Sequence, residues 1–323
     1  MAPRVSVIVP ARNETATIEA CLQSIFAQRV EGGLEVIVAD GRSSDATGEL
    51  ARSLGATVVD NPARTTPAAL NAALAAAKGE IVVRFDAHGR MPPGYVEASV
   101  RALDEEEGAV GVGGWVQVEP TGPWGRAIGA ALGSRFGIGN ARSWRRPGRD
   151  QGRLDVETFP LGCWPTESLR AVGGWDERFL RNQDYEMNYR LRSRGGRIVY
   201  DPAVWSYYRP RESLRGLARQ YWDYGRFKAL TVATAPRSVH PRQAAPVLLL
   251  AILAAANLPN EAGWIARRAL AAYALLIGSV AVTSRGGWRT VPALMTIHGV
   301  WGAGVLAGLT RLGSRSVFGR LRS

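Results

Sequence analysis

The chain predicts an α/β fold with a largely parallel sheet and helices on both faces, followed by a separate apolar helical region. Three observations carry that prediction. Over the first hundred residues, short β-branched runs alternate with helix-like segments, the pattern of consecutive β-α units. Among those runs, EVIVAD and EIVVRFD end in the carboxylates Asp40 and Asp86, and ligands of such folds bind at the carboxyl ends of the strands. Beyond residue 243 the sequence changes character, with three long apolar runs almost free of charge.

The elements follow in order. VSVIVP (5–10) is the first strand and TATIEACLQSIFAQ (15–28) the first helix; EVIVAD (35–40), SSDATGELARSLG (43–55), TVVD (57–60), TTPAALNAALAAAKG (65–79) and EIVVRFD (80–86) continue the alternation. AVGVGGWVQVEP (109–120) is a further strand, and the Gly-, Arg- and Trp-rich stretch 121–153 reads as a long loop with one short helix. ESLRAV and DYEMNYRLRSR are helical, Gly195-Gly196 stops the second, and RIVYDP (197–202) is one more strand. The apolar runs cover 244–258, 269–284 and 291–309. At about 1.5 Å per residue the first is too short for a hydrocarbon core of about 30 Å, whereas the third is long enough. The expectation is a hairpin of the last two, with the first re-entrant or interfacial and the Arg-rich tail on the cytoplasmic side. Three parts are thus expected: 1–206, the catalytic domain; 207–243, an amphipathic interfacial segment; and 244–323, membrane helices with a basic tail.

A formal charge of +12 invites a nucleic-acid reading, but its distribution argues otherwise. Up to residue 206 there are 24 basic and 25 acidic side chains, against 16 and 3 from 207 onward. The excess lies beside apolar segments, which points to an anionic membrane surface and away from nucleic acid. Cys21 and Cys163 lack metal-ligand spacing and read as small core residues. VSVIVP begins without a basic region and long apolar run before it, so no cleaved export signal is expected.

VSVIVPARNE, EVIVADGRSSDAT, the Ala-rich helix with Asn71 and the following Lys78-Gly79-Glu80, VVRFDAH, and GGWDERFLRNQDYEMNYRL stand in order over 5–201. This succession resembles the inverting family 2 glycosyltransferases, which have a GT-A fold. Asp-Ala-His at 86–88, YWDYGRFKA and MTIHGVWGAGVLAGL resemble, more narrowly, the bacterial exopolysaccharide enzymes of the succinoglycan type. The resemblance implies roles residue by residue. Pro10, Ala11, Glu14 and Asp40 would meet the base and ribose of the donor, while Asp86 would face its diphosphate. His88 stands where the family usually places the second carboxylate of Asp-x-Asp, so Asp86 and His88 would hold a divalent cation, Mn2+ or Mg2+; an imidazole favours Mn2+. A histidine that merely satisfies a hydrogen bond is the competing reading of His88. Asp184 matches the general base, with Gln183 in place of the more usual Glu; the alternative for Asp184 is a helix cap. Trp164 would stack on the acceptor sugar, with Gln183 beside it, unless Trp164 is a core residue. Arg226 would bind the pyrophosphate of the donor or of a lipid carrier, or else belongs to a plain amphipathic surface helix.

The implied activity is transfer of a hexose from a nucleoside diphosphate sugar, UDP-linked, to a polyprenyl-diphosphate-linked saccharide in exopolysaccharide or cell-envelope glycan synthesis. The enzyme would sit at the cytoplasmic membrane with its catalytic domain facing the cytoplasm. Its alternative is a non-catalytic, membrane-attached nucleotide-sugar sensor or scaffold of the same fold. A nicotinamide-dependent enzyme is argued against by PARNET after the first strand, where G-x-G-x-x-G would be needed.

Overall fold

The computed structural model describes residues 2–138, 142–148 and 150–313. The Arg-rich tail beyond 313, expected on the cytoplasmic side, lies outside the described residues. In chain order the elements are β1 (Val5–Ala11), α1 (Ile18–Phe26), β2 (Leu34–Asp40), α2 (Thr47–Ser53), β3 (Thr57–Asp60), α3 (Thr66–Ala76), β4 (Ile81–Arg84), α4 (Tyr95–Glu105) and β5 (Ala109–Val118). There follow α5 (Pro123–Gly133), β6 (Leu154–Asp155), β7 (Gly162–Pro165), α6 (Thr166–Ala171), α7 (Gln183–Ser193) and β8 (Arg197–Tyr208). The last are α8 (Leu214–Thr234), α9 (Ala245–Ala255), α10 (Glu261–Thr283) and α11 (Thr290–Gly313). By packing these form two units: residues to Gln117 with Arg145–Tyr208, and Val118–Trp144 with the residues from Arg209 on.

The first unit is built on a sheet of order β3-β2-β1-β4-β7-β5-β8-β6. Its first four strands are parallel, as the β-α alternation requires. The other half departs from the expected parallel pattern, because β7 enters between β4 and β5 from much later in the chain and pairs antiparallel with both. Strand alternation then sorts side chains to two cores. Val5, Val7 and Val9 of β1 pack with α1 and α4 on one face, and Ile8 packs on the other with Leu70, Trp164, Trp175 and Met187. On β4, Ile81 and Val83 share the first face and Val82 the second. By the same period Arg84 falls on the second face, beside Trp175 and α7.

Chain order runs outward from β1 to β3 and then returns to β4 on the other side of β1, which makes the β1/β4 boundary the switch point of the sheet. Pro10 helps to open it. Backbone pairing between β1 and β4 ends with Phe85 N–H on the Ile8 carbonyl, 3.0 Å, so a residue without N–H follows where the two strands part.

In the second unit the helix expected within the long loop stretch is α5, eleven residues long with Pro123 in its first turn. The Glu212 carboxylate accepts from Thr121 N–H and Gly125 N–H at its start, 2.9 and 3.0 Å. Two helices, Glu261–Thr283 and Gly287–Gly313, are long and apolar enough to cross a membrane. The first of these begins earlier than the apolar run did, because Asn260 caps it by accepting from Gly263 N–H and the turn that follows holds the charged Glu261, Arg267 and Arg268.

Candidate active site

A cleft of about 210 Å³ opens at the carboxyl ends of β1 and β4. Pro10, Ala11, Glu14, Asp86, His88 and Gln183, all singled out in the sequence, line it. Arg12, Arg64, Arg84 and Arg181 line it too. Four guanidinium groups around a cleft with two carboxylates suit a polyanionic ligand such as a diphosphate.

The first turn is fixed by its neighbour. Asn13 takes a left-handed backbone, φ 56°, and its amide oxygen accepts from Ser44 N–H at 2.8 Å, while its own N–H donates to Ser43 Oγ at 2.9 Å. That holds Glu14 over the cleft, where one carboxylate oxygen accepts from Thr17 Oγ1, 2.8 Å, and the other lies 3.3 Å from His88 Nδ1. His88 is two-thirds exposed and keeps Nε2 for a ligand. Asp86, on the same side, is one-third exposed.

Arg84 is the centre of the arrangement. Its side chain is only 6% exposed, yet it donates from Nη2 to Asp86 Oδ1 at 3.0 Å and from Nη1 to Asp184 Oδ2. A second anchor for Asp184 comes from Trp175, whose indole N–H donates to Oδ1 at 3.0 Å. Trp175 is itself clamped, because Asn71 on α3 accepts from its N–H and donates to its carbonyl, both at 2.8 Å. The glycine pair before it, at φ 77° and 68°, supplies a turn that side chains with a Cβ resist. Burial pushes the Asp184 carboxyl above the ordinary carboxylate range, against the opposing pull of the Arg84 guanidinium and the Trp175 indole. One cation thus joins the residue expected at the diphosphate to the residue expected at the acceptor.

Besides Asp184, which meets Arg84 but does not itself line the cleft, three of the residues singled out in the sequence lie elsewhere. Asp40 ends β2, one strand from the cleft, and its carboxylate accepts from Ser43 N–H and Oγ at 3.1 and 2.6 Å, closing the turn into α2. The next residue, Gly41, lines the cleft. The stacking role of Trp164 is overturned: the ring is fully buried in β7, packed edge-on against Trp175, with its indole N–H on Asn188 Oδ1 at 2.9 Å. A central strand leaves no face of that ring for a sugar. Arg226 lies on α8 in the second unit.

Arg84 and Trp175 join the site without a sequence expectation, and of the two only Arg84 carried a signal. A lone cation inside the apolar run IVVRF is a signal, since a buried charge requires partners. Trp175 gave none beyond its place in GGWDE.

Among the described residues no cluster of three or more His, Cys, Asp or Glu side chains is placed to hold a metal ion alone. Asp86 and His88 supply one oxygen and one nitrogen donor at a cleft rich in guanidinium, which fits a cation that takes its remaining ligands from a bound diphosphate.

The family model for glycosyl transferase family 2 matches residues 6–165. Succinoglycan biosynthesis protein ExoA of Rhizobium meliloti (strain 1021) is 30% identical over 326 residues, covering 92% of each chain. This chain belongs to the family 2 glycosyltransferases. It is an enzyme that transfers glycosyl groups. A Methanococcus voltae dolichyl N-acetyl-alpha-D-glucosaminyl phosphate 3-beta-D-2,3-diacetamido-2,3-dideoxy-beta-D-glucuronosyltransferase is 23% identical over 241 residues, 71% of this chain and 74% of that one. The fold is shared with mannosyltransferase PcManGT from Pyrobaculum calidifontis, solved with GDP-Man and Mn2+, at TM-score 0.64 and 23% identity, over 96% of this glycosyltransferase and 88% of PcManGT. The fold is therefore GT-A, with β5 to β8 completing the mixed half of its sheet.

Proposed function

We propose that this glycosyltransferase inverts the anomeric centre of a UDP-linked hexose as it transfers it to a polyprenyl-diphosphate-linked saccharide, in exopolysaccharide or envelope glycan synthesis at the cytoplasmic membrane. The observation that carries the reading is the Arg84 bridge between Asp86 and Asp184, two carboxylates from distant parts of the chain.

In this reading the donor diphosphate meets Arg12, Arg64 and Arg181, and Pro10, Ala11 and Glu14 border its nucleoside. Asp86 and His88 would hold the divalent cation, which when bound would neutralise charge on the departing nucleoside diphosphate. Asp184 takes the proton of the attacking acceptor hydroxyl as its oxygen bonds to the anomeric carbon and the bond to the diphosphate breaks. Each oxygen of a carboxylate accepts more than one hydrogen bond, so the Trp175 and Arg84 contacts orient Asp184 and still leave it a proton acceptor. Arg84 keeps Asp184 ionised beforehand, while burial raises its affinity for the proton. Gln183, at the cleft beside it, is assigned to the acceptor. Arg226 is assigned to a pyrophosphate on the resemblance of its block alone.

The sugar and carrier chemistry rest on the relationship to ExoA and on the apolar helices with their basic surroundings. The deciding experiment incubates detergent-extracted enzyme with a panel of UDP- and GDP-sugars, Mn2+ and polyprenyl-diphosphate saccharides, and reads the product anomer by NMR. An inverted linkage made from a UDP-sugar is expected. Retention of configuration would reject the single-displacement mechanism, and turnover only with GDP-sugars would reject the donor.

A further inference from the structure

We infer that the second unit is monotopic: α8 to α11 lie along one leaflet of the membrane, and none of them crosses it. The inference rests on the membrane attachment proposed above and adds its geometry, replacing the spanning hairpin expected from hydropathy.

The first observation is the pairing of α11 with α8. Buried positions Leu217, Tyr221, Gly225 and Ala229 of α8 form a seam at helical spacing, and Ala293, Ile297, Gly304 and Gly308 do so on α11. Glycine lets the backbones touch: a methyl group on Gly225 would stand 3.0 Å from the Gly304 Cα, and one on Gly308 would stand 3.2 Å from the Arg226 Cα. Later residues of α8 meet later residues of α11, so the two run parallel, side by side. Were α11 to cross a bilayer, α8 would carry Arg219, Asp223, Arg226 and Lys228 through the hydrocarbon with it. Charged side chains at that depth are costly.

The second observation is chain length. With α8 and α11 held out of the hydrocarbon, a path that enters the membrane after α8 and returns to α11 must cross twice, through α9 and α10. Eleven residues give α9 roughly 17 Å, against a hydrocarbon core of about 30 Å. Both ends of this pair are held to α11, and with α11 lying flat they share its layer. Gly302 of α11 is packed against Pro246 at the start of α9, and Ser284 after α10 lies within 3.2 Å of Thr290 at the start of α11.

Charge supplies the third. Arg267 and Arg268 flank one end of α10, Arg285 and Arg289 the other; a crossing α10 would put one basic pair on each side, whereas a helix lying flat keeps all four at the anionic headgroups. Arg268 stacks on Trp264 at 3.7 Å from the ring centre, and Arg289 on Trp288 at 5.2 Å, pairings suited to an interface. Between them Leu275 and Val282 are 76% and 88% exposed, apolar surface that a leaflet would cover.

The test uses the full chain, whose two native cysteines are buried. Glu261→Cys and Arg285→Cys, at opposite ends of α10, are treated with a membrane-impermeant maleimide in spheroplasts and in inside-out vesicles, with Arg268→Cys and Trp288→Cys as a second pair should the first fold poorly. Both ends should react in inside-out vesicles and neither in spheroplasts. Reaction of either end in spheroplasts, or an end that reacts only after detergent, overturns the monotopic arrangement. Sedimentation of the same samples separates the two ideas, because protein left in the soluble fraction overturns the attachment itself.

Discussion

Asp184 is the residue on which the mechanism turns. Asp184→Asn keeps the shape and one of the two accepted hydrogen bonds, since its single amide oxygen can accept from Trp175 or Arg84 but not both, and it cannot take a proton, so single-turnover rates should fall by about 10²–10⁴-fold with donor affinity retained. A helix cap would tolerate the same change almost without cost. Because burial raises this carboxyl, the acid limb of the wild-type rate profile should lie above the ordinary value of 3.8, with activity lost as pH falls through it. Stability runs the other way. Folding favours the protonated form, so this contribution is fully present below the unfolded value and is lost as pH rises through the folded one. Asparagine removes this titration, so the difference in melting temperature between Asp184→Asn and the wild type should move in favour of the variant as pH rises through the folded value. His88→Ala should raise the metal concentration needed for half-maximal rate, and His88→Asp should shift the preference toward Mg2+; titration of rate against each metal checks both. Arg84→Lys supplies one point charge where two carboxylates need a fork, so kcat should drop at least tenfold while the donor still binds.

Among the elements, α3 has a task beyond packing, since Asn71 fixes the backbone of Trp175 and through it one oxygen of Asp184. Asn71→Ala removes three hydrogen bonds from a half-buried site, two to the Trp175 backbone and one to Glu177, each worth about 1 kcal/mol. Melting temperature should fall, and kcat should fall more than donor affinity, because the damage reaches the base and leaves the arginines of the cleft in place. Calorimetry with donor-binding measurements separates the two effects.

At the scale of the whole molecule, the chain does not divide at one point. Residues 118–144 interrupt the first unit in sequence yet pack within the second: Glu212 closes the start of α5, and His298 of α11 lies 2.6 Å, through Nε2, from the Phe136 carbonyl. A chain ended after Tyr208 keeps every strand of the sheet but strips α5 of these partners, exposing Ala127, Ile128 and Leu132, which the full chain buries. Such a truncation should express as aggregate, and joint removal of 120–143 should restore solubility. Size-exclusion profiles of the two truncations decide it.

Local sequence was enough for the parallel half of the sheet, since each β-branched run and the helix after it declare themselves by period alone. For the six sequence-marked residues that line the cleft the resemblance was the guide; Pro10, Ala11, Asp86 and His88 lie at strand ends that meet at a switch point, whereas Gln183 opens α7 from far along the chain. Three things depended on tertiary structure. Trp164 looked like a sugar platform until β7, arriving from far along the chain, was seen to insert beside β4; hydrogen-bond pairing between distant strands leaves no local period to read. Arg84 acquired meaning only when strand alternation and the packing of α7 brought Asp86 and Asp184 to the same guanidinium, a juxtaposition across 100 residues. The apolarity of α11 is written in its composition, but whether such a helix faces lipid or protein depends on its neighbours. The glycines that admit α8 look, in sequence, like any other glycines.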